Sequence, residues 1–413
     1  MNRNNPIKRI IKYLLSKLEN GYLEIRSYYY LNKNSKKAVN KKRIKVGFIV
    51  QVPEVWDKEA PIYEYMKASE LFRPVLLVLP NANPDGSFDN YGKEYVFFRR
   101  KANGKDCIKA VDSERKVLIK DLRSYDYIFF QRPYEIYLPK GMQSVDLIKY
   151  SKLCYVPYST TERESLKPAY TISFLKNMYF CFMDTRDGQE YVKKRTRRNK
   201  NRHIEYLGYP VFEQVMSQKA ETHPTTVLWT PRWAFDSSLG GSHFFDYKDH
   251  INTNEFAGKA RIIIRPHPLM FWNIVNKGLM SEEEIESYRS DLEKKNIELD
   301  RNVYIQDTFK YTSILISDLS SVIPLFFITG KPIIYCPVKC DYSAILRAIM
   351  PGLYIADSWD KVNDYVDMLL SGKDPLKEKR ESIIRSYFRH TKGSTERIVN
   401  RIAEDHGHKV KQR

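Results

Sequence analysis

The sequence predicts an α/β protein made of two Rossmann-like domains, with an amphipathic helix at the amino terminus. Short runs of β-branched and leucine residues alternate with helical stretches, which is typical of strands buried on both faces of a parallel sheet. The chain has 413 residues, of which 42% are hydrophobic, so it is long enough to bury two cores of ordinary size. Its first residues repeat apolar side chains at helical spacing.

From these patterns we expect four segments. Residues 1–42 form a helix and a linker, 43–204 a first α/β domain, 205–375 a second α/β domain and 376–413 a helical tail. Strands are predicted at 45–50, 74–79, 126–131, 153–156 and 178–183, and then at 226–229, 261–264, 314–317 and 332–335. The clearest helix of the second domain is predicted at 281–295.

The amino-terminal helix is both apolar and basic. Its Ile and Leu residues recur at helical spacing between Ile7 and Leu18, while other faces carry Lys8, Arg9, Lys12 and Lys17. In a chain with a net charge of +19, such a helix suits contact with an anionic membrane surface. Docking on the protein's own core is the alternative. No apolar run is long enough to span a bilayer and no secretory signal is recognisable, so we expect a cytoplasmic protein, peripheral on the inner face of the cell membrane.

Two short runs of the second domain carry the candidate chemistry. Ile262–Ile264 is a predicted buried strand that ends in Arg265, Pro266, His267 and Pro268, and the prolines fix the backbone that carries the imidazole. Ile314–Ile316 is a second buried strand, followed by Asp318, Ser320 and Ser321 as caps of a helix at 322–328. A helix start with hydroxyl groups is an anion site, and ligands of open α/β sheets bind where strands end. We therefore expect Arg265, Asp318, Ser320 and Ser321 to contact phosphate, and His267 to act as a general base or a phosphate ligand.

These residues resemble the CDP-glycerol glycerophosphotransferase family. Its pattern is matched by Arg265-Pro266-His267-Pro268, then Asp318-Leu319-Ser320-Ser321, then Gly330-Lys331-Pro332 before a final strand. Leu228–Trp233 and Gly208-Tyr209-Pro210 are similar to two further family segments. The resemblance implies a glycosyltransferase-B-like (GT-B-like) enzyme whose two domains face a cleft, the first binding the acceptor and the second the donor. It implies transfer of glycerol phosphate or a related polyol phosphate from a CDP-linked donor to a cell-wall or capsular polymer, with release of CMP. Thr230 and Arg232 are then expected near the donor nucleotide.

The sequence departs from the family in its first half. The family carries an essential histidine there, but the matching segment Cys154–Thr161 has none, and the first histidine of the chain is His203. We therefore consider Glu162, with Glu164 beside it, as the base in the amino-terminal domain.

No metal or cofactor is predicted. The chain contains no Asp-x-Asp pair for a cation that would bridge a nucleotide diphosphate, and neither G-x-x-x-x-G-K-[ST] nor G-x-G-x-x-G occurs. Positive side chains and the helix start are expected to neutralise the donor instead. Two alternatives remain: a nucleotide-sugar glycosyltransferase of the same architecture, and a non-catalytic basic protein that binds membrane or nucleic acid. We expect the partners to be the donor, a polymer or lipid-linked acceptor and an anionic membrane, without nucleic acid.

Overall fold

The protein is described here by a computed structural model, which covers residues 6–36, 43–83, 87–160, 172–196, 199–219, 221–236, 240–253 and 259–409. Side chains of residues 6–17, 172, 252 and 253 are outside the described part. The chain forms two compact units. Unit 1 comprises Met1–Ser159, Pro168–Pro210 and Gly393–Arg413, and unit 2 comprises Thr160–Lys167 and Val211–Lys392. The sequence predicted the division between residues 204 and 205, and the units divide at Pro210.

Unit 1 is a parallel α/β sheet with helices. Its strands are β1 (Ile44–Val50), β2 (Phe72–Val78), β3 (Cys107–Lys109), β4 (Tyr127–Phe130), β5 (Lys152–Tyr155), β6 (Phe180–Phe182) and β7 (His203–Glu205). Its helices are α1 (Pro6–Ser35), α2 (Ala60–Ala68), α3 (Lys93–Lys101), α4 (Ser144–Leu147), α5 (Ile172–Lys176) and α6 (Arg186–Arg195), and α7 (Pro210–Ser217) begins at the division. The five strands predicted from buried apolar runs are present, whereas the three-residue strands β3 and β7 were not predicted because so short a run has no readable period.

The order of strands in this sheet is β3-β2-β1-β4-β5-β6-β7. Strands β2 and β3 are added on one side of β1, and strands β4 to β7 follow in order on its other side. The direction of the strand order therefore reverses between β1 and β4. Val46 of β1 pairs with Pro74 on one side and with Tyr127 on the other. Ligands of such sheets bind at the carboxyl ends of the two strands that flank this reversal.

Helix α1 is longer than predicted. The predicted linker from Asn32 to Lys42 is helical up to Ser35, and residues 37–42 are outside the described part. One face of the helix docks on unit 1: Glu24 forms ion pairs with Lys176 at 3.6 Å and with Arg202 at 3.2 Å. Ser27 Oγ donates to Asn177 Oδ1 at 2.7 Å. Within the predicted linker, Asn34 Nδ2 donates to the carbonyls of Ile148 at 2.7 Å and Ser151 at 3.0 Å, which holds the end of the helix on unit 1.

The last helix, α16 (Ser394–Asp405), packs in unit 1, where it contacts α2. Asp405 anchors it, because its carboxylate accepts from Lys152 Nζ at 2.6 Å, Tyr127 Oη at 2.6 Å and Tyr179 Oη at 2.9 Å. Burial alone would raise the pKa of Asp405, but the Lys152 charge and these hydrogen bonds outweigh burial and lower it. An acidic residue at the end of the chain therefore joins three strands of unit 1.

Unit 2 is a second parallel α/β sheet with the strand order β10-β9-β8-β11-β12-β13. The strands are β8 (Thr226–Thr230), β9 (Arg261–Ile264), β10 (Glu298–Leu299), β11 (Ile314–Ser317), β12 (Ile333–Tyr335) and β13 (Tyr354–Ile355). The helices are α8 (Phe244–Thr253), α9 (Met270–Asn276), α10 (Glu282–Lys294), α11 (Ile305–Phe309), α12 (Val322–Phe327), α13 (Ala344–Ile349), α14 (Trp359–Leu370) and α15 (Lys377–Tyr387). The four predicted strands and the helix predicted at 281–295 are confirmed. The order reverses between β8 and β11.

Both faces of the central strands of unit 2 are buried. Ile262 and Ile264 face one side and Ile263 the other, and all three are almost completely shielded from solvent. Helices α8, α10 and α14 cover the first side with apolar residues that pack on β8, β9 and β11. This two-sided burial explains why the strands read as continuous apolar runs, and the prediction of two Rossmann-like units is confirmed.

Candidate active site

The candidate residues of unit 2 lie where three adjacent strands end. Strand β8 leads to Arg232, β9 to Arg265 and β11 to Asp318, and these strands are neighbours in the sheet. The backbone N–H of Arg265 donates to the carbonyl of Trp229 at 2.8 Å, which keeps the ends of β9 and β8 in register. The sequence predicted a site at this edge, and the strand order brings its parts to the reversal between β8 and β11.

Asp318 organises the loop that follows β8. Its carboxylate is completely buried. Oδ2 accepts from the Arg232 backbone N–H at 3.0 Å, from Ser242 Oγ at 3.0 Å and from the His243 backbone N–H at 3.2 Å, while Oδ1 lies 2.9 Å from His243 Nδ1. A carboxylate with these partners holds Arg232, Ser242 and His243 against the end of β11. What the structure shows for Asp318 is this positioning role, and its predicted contact with a donor phosphate stays a prediction.

His243 belongs to this arrangement and was not among the predicted site residues. Burial disfavours its protonation, but the hydrogen bond and negative charge of Asp318 outweigh burial, so the pKa of His243 is raised. Its ring stacks on Tyr247 with the centroids 5.1 Å apart. The sequence predicts a loop at Gly240-Gly241-Ser242-His243 that either closes over the donor or is an ordinary surface loop, but it indicates no separate role for His243.

Glycine is required in that loop. Gly240 and Gly241 both have positive φ, at +95° and +78°. A Cβ on Gly240 would lie 3.1 Å from the carbonyl oxygen of Lys339 and 3.3 Å from Arg232 Nη1, whereas a Cβ on Gly241 would meet nothing within 4 Å. Gly240 therefore lets the backbone pass close to the guanidinium of Arg232.

The pKa of His267 is shifted in the opposite direction from that of His243. Part of the residue is exposed, yet the protein around the ring removes enough water, and Arg232 adds enough positive charge, to lower its pKa to about 4. Nδ1 accepts a hydrogen bond from the Leu269 backbone N–H at 3.1 Å. The neutral ring therefore carries its proton on Nε2 and presents a hydrogen-bond donor. This tautomer favours the phosphate-ligand role of His267 over the general-base role.

Arg232 and Thr230 are buried at the end of β8. Arg232 is close enough to His267 to lower its pKa, and the ring of Trp233 lies 5.8 Å from that of His267. Thr230 Oγ1 donates to Ser317 Oγ at 2.7 Å, so the side chain of Thr230 joins β8 to β11. The structure thus brings Arg232 together with His267 and Asp318, and gives Thr230 a contact within the sheet.

Arg265 is held by an acidic loop. Its Nη1 donates to Asp300 Oδ2 at 2.7 Å and to the Asn302 carbonyl at 2.8 Å, and Nη2 donates to the Val303 carbonyl at 3.2 Å. Asp300 is itself almost completely buried. These contacts fix the loop after β10 to the end of β9, and the predicted contact of Arg265 with phosphate stays a prediction.

Ser320 and Ser321 precede α12 as predicted, and both are half-buried. Ser320 Oγ accepts from the Val322 backbone N–H at 3.2 Å, whereas Ser321 makes no capping bond with its side chain. Asp318 faces the loop of His243 instead of capping α12. Beyond this helix, Lys331 Nζ donates to the carbonyls of Phe309 and Thr312, both at 2.7 Å, so it caps the end of α11.

Two sets of predicted residues cannot be placed. Glu162 lies outside the described residues, as does most of the segment around it. Lys8, Arg9, Lys12 and Lys17 fall on α1, but their side chains are not described. Within the described part of the chain, no group of three or more His, Cys, Asp and Glu side chains could hold a metal ion.

Two parallel α/β units, with basic and hydroxyl side chains at the strand ends of unit 2, define a GT-B-like protein. The chain belongs to the CDP-glycerol:poly(glycerophosphate) glycerophosphotransferase family, whose model matches residues 189–404, more than half of the chain. The protein is thus a glycerophosphotransferase-like enzyme, as the sequence predicted.

Solved structures have the same fold. The wall teichoic acid polymerase TagF superposes with a TM-score of 0.55 at 14% identity, over 98% of this chain and 99% of that chain. A putative UDP-N-acetylglucosamine 2-epimerase from Listeria monocytogenes superposes with a TM-score of 0.55 at 13% identity, over 88% of this chain and 96% of that chain. At such identities the likeness concerns the fold alone. Comparison with curated protein sequences gave no match.

Proposed function

We propose that the protein transfers glycerol phosphate, or a related polyol phosphate, from a CDP-linked donor to a hydroxyl group of a cell-wall or capsular polymer. Family membership supports the reaction class. The acceptor oxygen attacks the β-phosphorus in line, the bond between that phosphorus and the bridging oxygen breaks, and CMP leaves with the bonding electrons. The acceptor proton passes to a base, for which Glu162 is the proposed residue.

The observation that carries this proposal is the arrangement around Arg232. Asp318 links the backbone of Arg232 to His243, and Arg232 lowers the pKa of His267. Three groups with different charge thus lie at the ends of neighbouring strands. They are the permanent cation Arg232, His243 with its raised pKa, and the neutral His267, which can donate through Nε2. A nucleotide diphosphate needs such groups, because charge spreads over its oxygens as the phosphoryl group is transferred.

In this proposal His267 stabilises the transferring phosphoryl group by donating from Nε2. Ser320 and Ser321 add hydroxyl groups at the end of the neighbouring strand β11. Asp318 and Arg265 have positioning roles in this proposal. Asp318 positions His243 and the Arg232 backbone, and Arg265 fixes the loop around Asp300.

The experiment combines donor binding with turnover. CDP-glycerol, CDP-ribitol and UDP-sugars are screened by thermal shift, and CMP release is measured with a polyol phosphate acceptor. We expect CDP-linked donors to raise the melting temperature. We expect His267→Ala to reduce CMP release by about 10²-fold or more, the usual effect of removing one donor to the developing charge.

His223→Ala is the matched control. His223 precedes β8 at the opposite edge of the sheet, where its Nδ1 lies 2.7 Å from the Pro224 carbonyl. Turnover of His223→Ala should equal that of wild type. Stabilisation by UDP-sugars without any response to CDP-linked donors would instead establish the nucleotide-sugar glycosyltransferase alternative.

We also propose that α1 holds the enzyme on the inner face of the cell membrane. The described part of α1 exposes large apolar side chains at helical spacing, with Leu18 and Ile25 each 71% exposed and Tyr22 and Tyr29 between and beyond them. The opposite face docks on unit 1, so this stripe is not needed for the core. Among the described residues, no helix is long and apolar enough to cross a bilayer. A surface-bound helix beside an acceptor attached to the membrane is therefore the favoured arrangement.

A further inference from the structure

Unit 1 has a narrow crevice of about 10 Å³ at its own reversal of strand order, lined by Gln51, Gln131, Arg132 and Tyr134. A group as large as phosphate can reach these residues only at the mouth of the crevice. Residues after β1 and after β4 meet there. Gln131 Oε1 accepts from the backbone N–H groups of Gln51 and Val52, both at 2.9 Å, and Gln131 Nε2 donates to the Val52 carbonyl at 2.8 Å. Gln51 Nε2 donates in turn to the Pro80 carbonyl at 2.7 Å. These amide contacts leave the two strand ends little freedom, so side chains on them are held in place.

Arg132 lies in this crevice, directly after β4. Its Nη2 donates to Gln51 Oε1 at 2.5 Å. Its Cζ lies 5.5 Å from the centroid of the Tyr137 ring. Among the described residues no carboxylate forms an ion pair with its guanidinium, and Glu54 acts on it only from a greater distance. Burial lowers the pKa of Arg132. A shielded cation without a carboxylate partner is costly to keep, so its retention calls for a ligand of opposite charge.

The titratable groups nearest to Arg132 are phenol side chains. Tyr134, Tyr137 and Tyr158 are the nearest titratable groups, and the hydroxyls of Tyr134 and Tyr158 lie 2.6 Å apart. Burial and this contact raise the pKa of Tyr134, so its hydroxyl stays protonated and can donate. A guanidinium beside phenol hydroxyls can form several hydrogen bonds to one tetrahedral anion.

We propose that Arg132 is the centre of an anion site in unit 1 and that its ligand is a phosphate group of a polyol phosphate chain. The inference rests on the proposed function, which requires an acceptor that becomes a chain of phosphodiesters as it grows. Arg132 binds a phosphate of that acceptor, with Tyr134 and Tyr158 as further donors. Gln51 and Gln131 are positioning residues.

The first experiment measures phosphate binding to the full chain by thermal shift in a buffer free of phosphate and sulfate. Inorganic phosphate and sn-glycerol 3-phosphate should raise the melting temperature of wild type and of His267→Ala, the variant that weakens the phosphate contacts proposed for unit 2. Adding Arg132→Gln to His267→Ala should abolish this response. Without ligand, Arg132→Gln should melt at the wild-type temperature or above it, because the substitution removes a shielded cation that has no carboxylate partner among the described residues. Arg100→Gln, on the exposed face of α3, makes the same change in charge and should keep the wild-type response.

Three outcomes would overturn the site: no phosphate response in wild type, an equal response in His267→Ala with and without Arg132→Gln, or a ligand-free melting temperature of Arg132→Gln well below that of wild type. The last would mean that Arg132 only supports the fold. Arg132→Lys keeps the charge without the planar fork, and it should recover part of the response.

The second experiment separates this inference from the proposed function. Calorimetry gives the Kd of CDP-glycerol, and turnover gives the KM of a polyol phosphate acceptor. Arg132→Gln should leave the donor Kd unchanged and raise the acceptor KM about tenfold or more, as expected for one charge-assisted contact. An unchanged acceptor KM would overturn the assignment of the ligand. Absence of CDP-glycerol binding to wild type would reject the proposed function, while the phosphate response would still decide whether the site exists.

Discussion

Two histidines of unit 2 differ in protonation because their neighbours differ in charge. His243 contacts the buried carboxylate of Asp318, which raises the pKa of the imidazole despite burial. His267 is partly exposed, yet the protein around its ring and the nearby charge of Arg232 both lower its pKa, to about 4. At pH 7 His267 is therefore neutral, whereas the pKa of His243 lies above its ordinary value of about 6.5. Groups whose pKa values are driven apart in one site are typical of catalytic centres.

This difference predicts the pH dependence of stability. The folded pKa of His243 lies above its unfolded value, so its pairing with Asp318 stabilises the protein fully below about pH 6.5. That contribution is lost as the pH rises through the folded pKa. The folded pKa of His267 is depressed, so its effect has the opposite sign: stability falls as the pH decreases from about 6.5 toward 4. Histidine NMR titrations and urea unfolding at several pH values measure both effects.

Asp318→Asn is the informative variant for the titrations. Without the carboxylate, burial is opposed only by the weaker effect of the Asp246 charge, so the pKa of His243 should fall below about 6.5 while His267 still titrates near 4. If His243 of wild type titrates below 6.5, the charged pair is absent and the positioning role of Asp318 is wrong.

At the scale of elements, the loop after β8 depends on one glycine that cannot be replaced. Gly240 combines a positive φ with a close approach to the Lys339 carbonyl and to Arg232, whereas Gly241 has only the positive φ. Substitution of Gly241 therefore tests backbone strain alone, whereas substitution of Gly240 tests backbone strain together with crowding near Arg232.

We expect Gly241→Ala to reduce the free energy of unfolding by about 1–2 kcal/mol, the cost of a left-handed conformation in a residue with a Cβ. Gly240→Ala should cost more, because its Cβ also lies 3.1 Å from a backbone carbonyl oxygen that cannot rotate away. Only Gly240→Ala should weaken donor binding, since it displaces the guanidinium of Arg232. Urea unfolding and calorimetry with CDP-glycerol test both variants. Equal donor affinities for the two would show that crowding at Arg232 has no effect on the site.

For the whole molecule, the net charge and the exposed apolar face of α1 both favour binding to an anionic membrane surface. The chain carries a net charge of +19, and each basic residue near an anionic surface contributes about 1 kcal/mol within a Debye length. Glu24, Ser27 and Asn34 attach the helix to unit 1, so deletion of the whole helix would also remove structural contacts. Substitution of exposed residues is the cleaner test.

We expect Leu18→Gln combined with Ile25→Gln to release the protein from anionic vesicles at modest salt, because both side chains are exposed apolar residues of the stripe. The melting temperature and the affinity for CDP-glycerol should not change. Val96→Gln with Leu118→Gln removes two exposed apolar residues elsewhere in unit 1 and should leave vesicle binding intact. Sedimentation with vesicles measures the effect. Wild-type binding by the α1 variant would contradict the membrane role of the stripe, and a lower melting temperature would assign the stripe to the fold.

The sequence by itself determined the α/β class, most strands and the edge of the sheet that carries the candidate site. It could do so because burial on both faces leaves an uninterrupted apolar run, as at Ile262–Ile264, and because this run stops at Arg265, directly after the strand. The end of α12 could also be predicted from the local sequence, because Gly330 follows the helix and adopts a positive φ.

Tertiary structure alone decided which side chains meet. His243 and Asp318 are 75 residues apart and Arg265 and Asp300 are 35 apart, so no local period relates them. Their contacts follow from the strand order β10-β9-β8-β11, which places the ends of these four strands side by side. Arg132 meets Gln51 for the same reason, because β1 and β4 are neighbours in the sheet of unit 1. Periodicity records which face of an element is buried, whereas the partners of a charged side chain depend on strand order, and strand order is a property of the whole sheet.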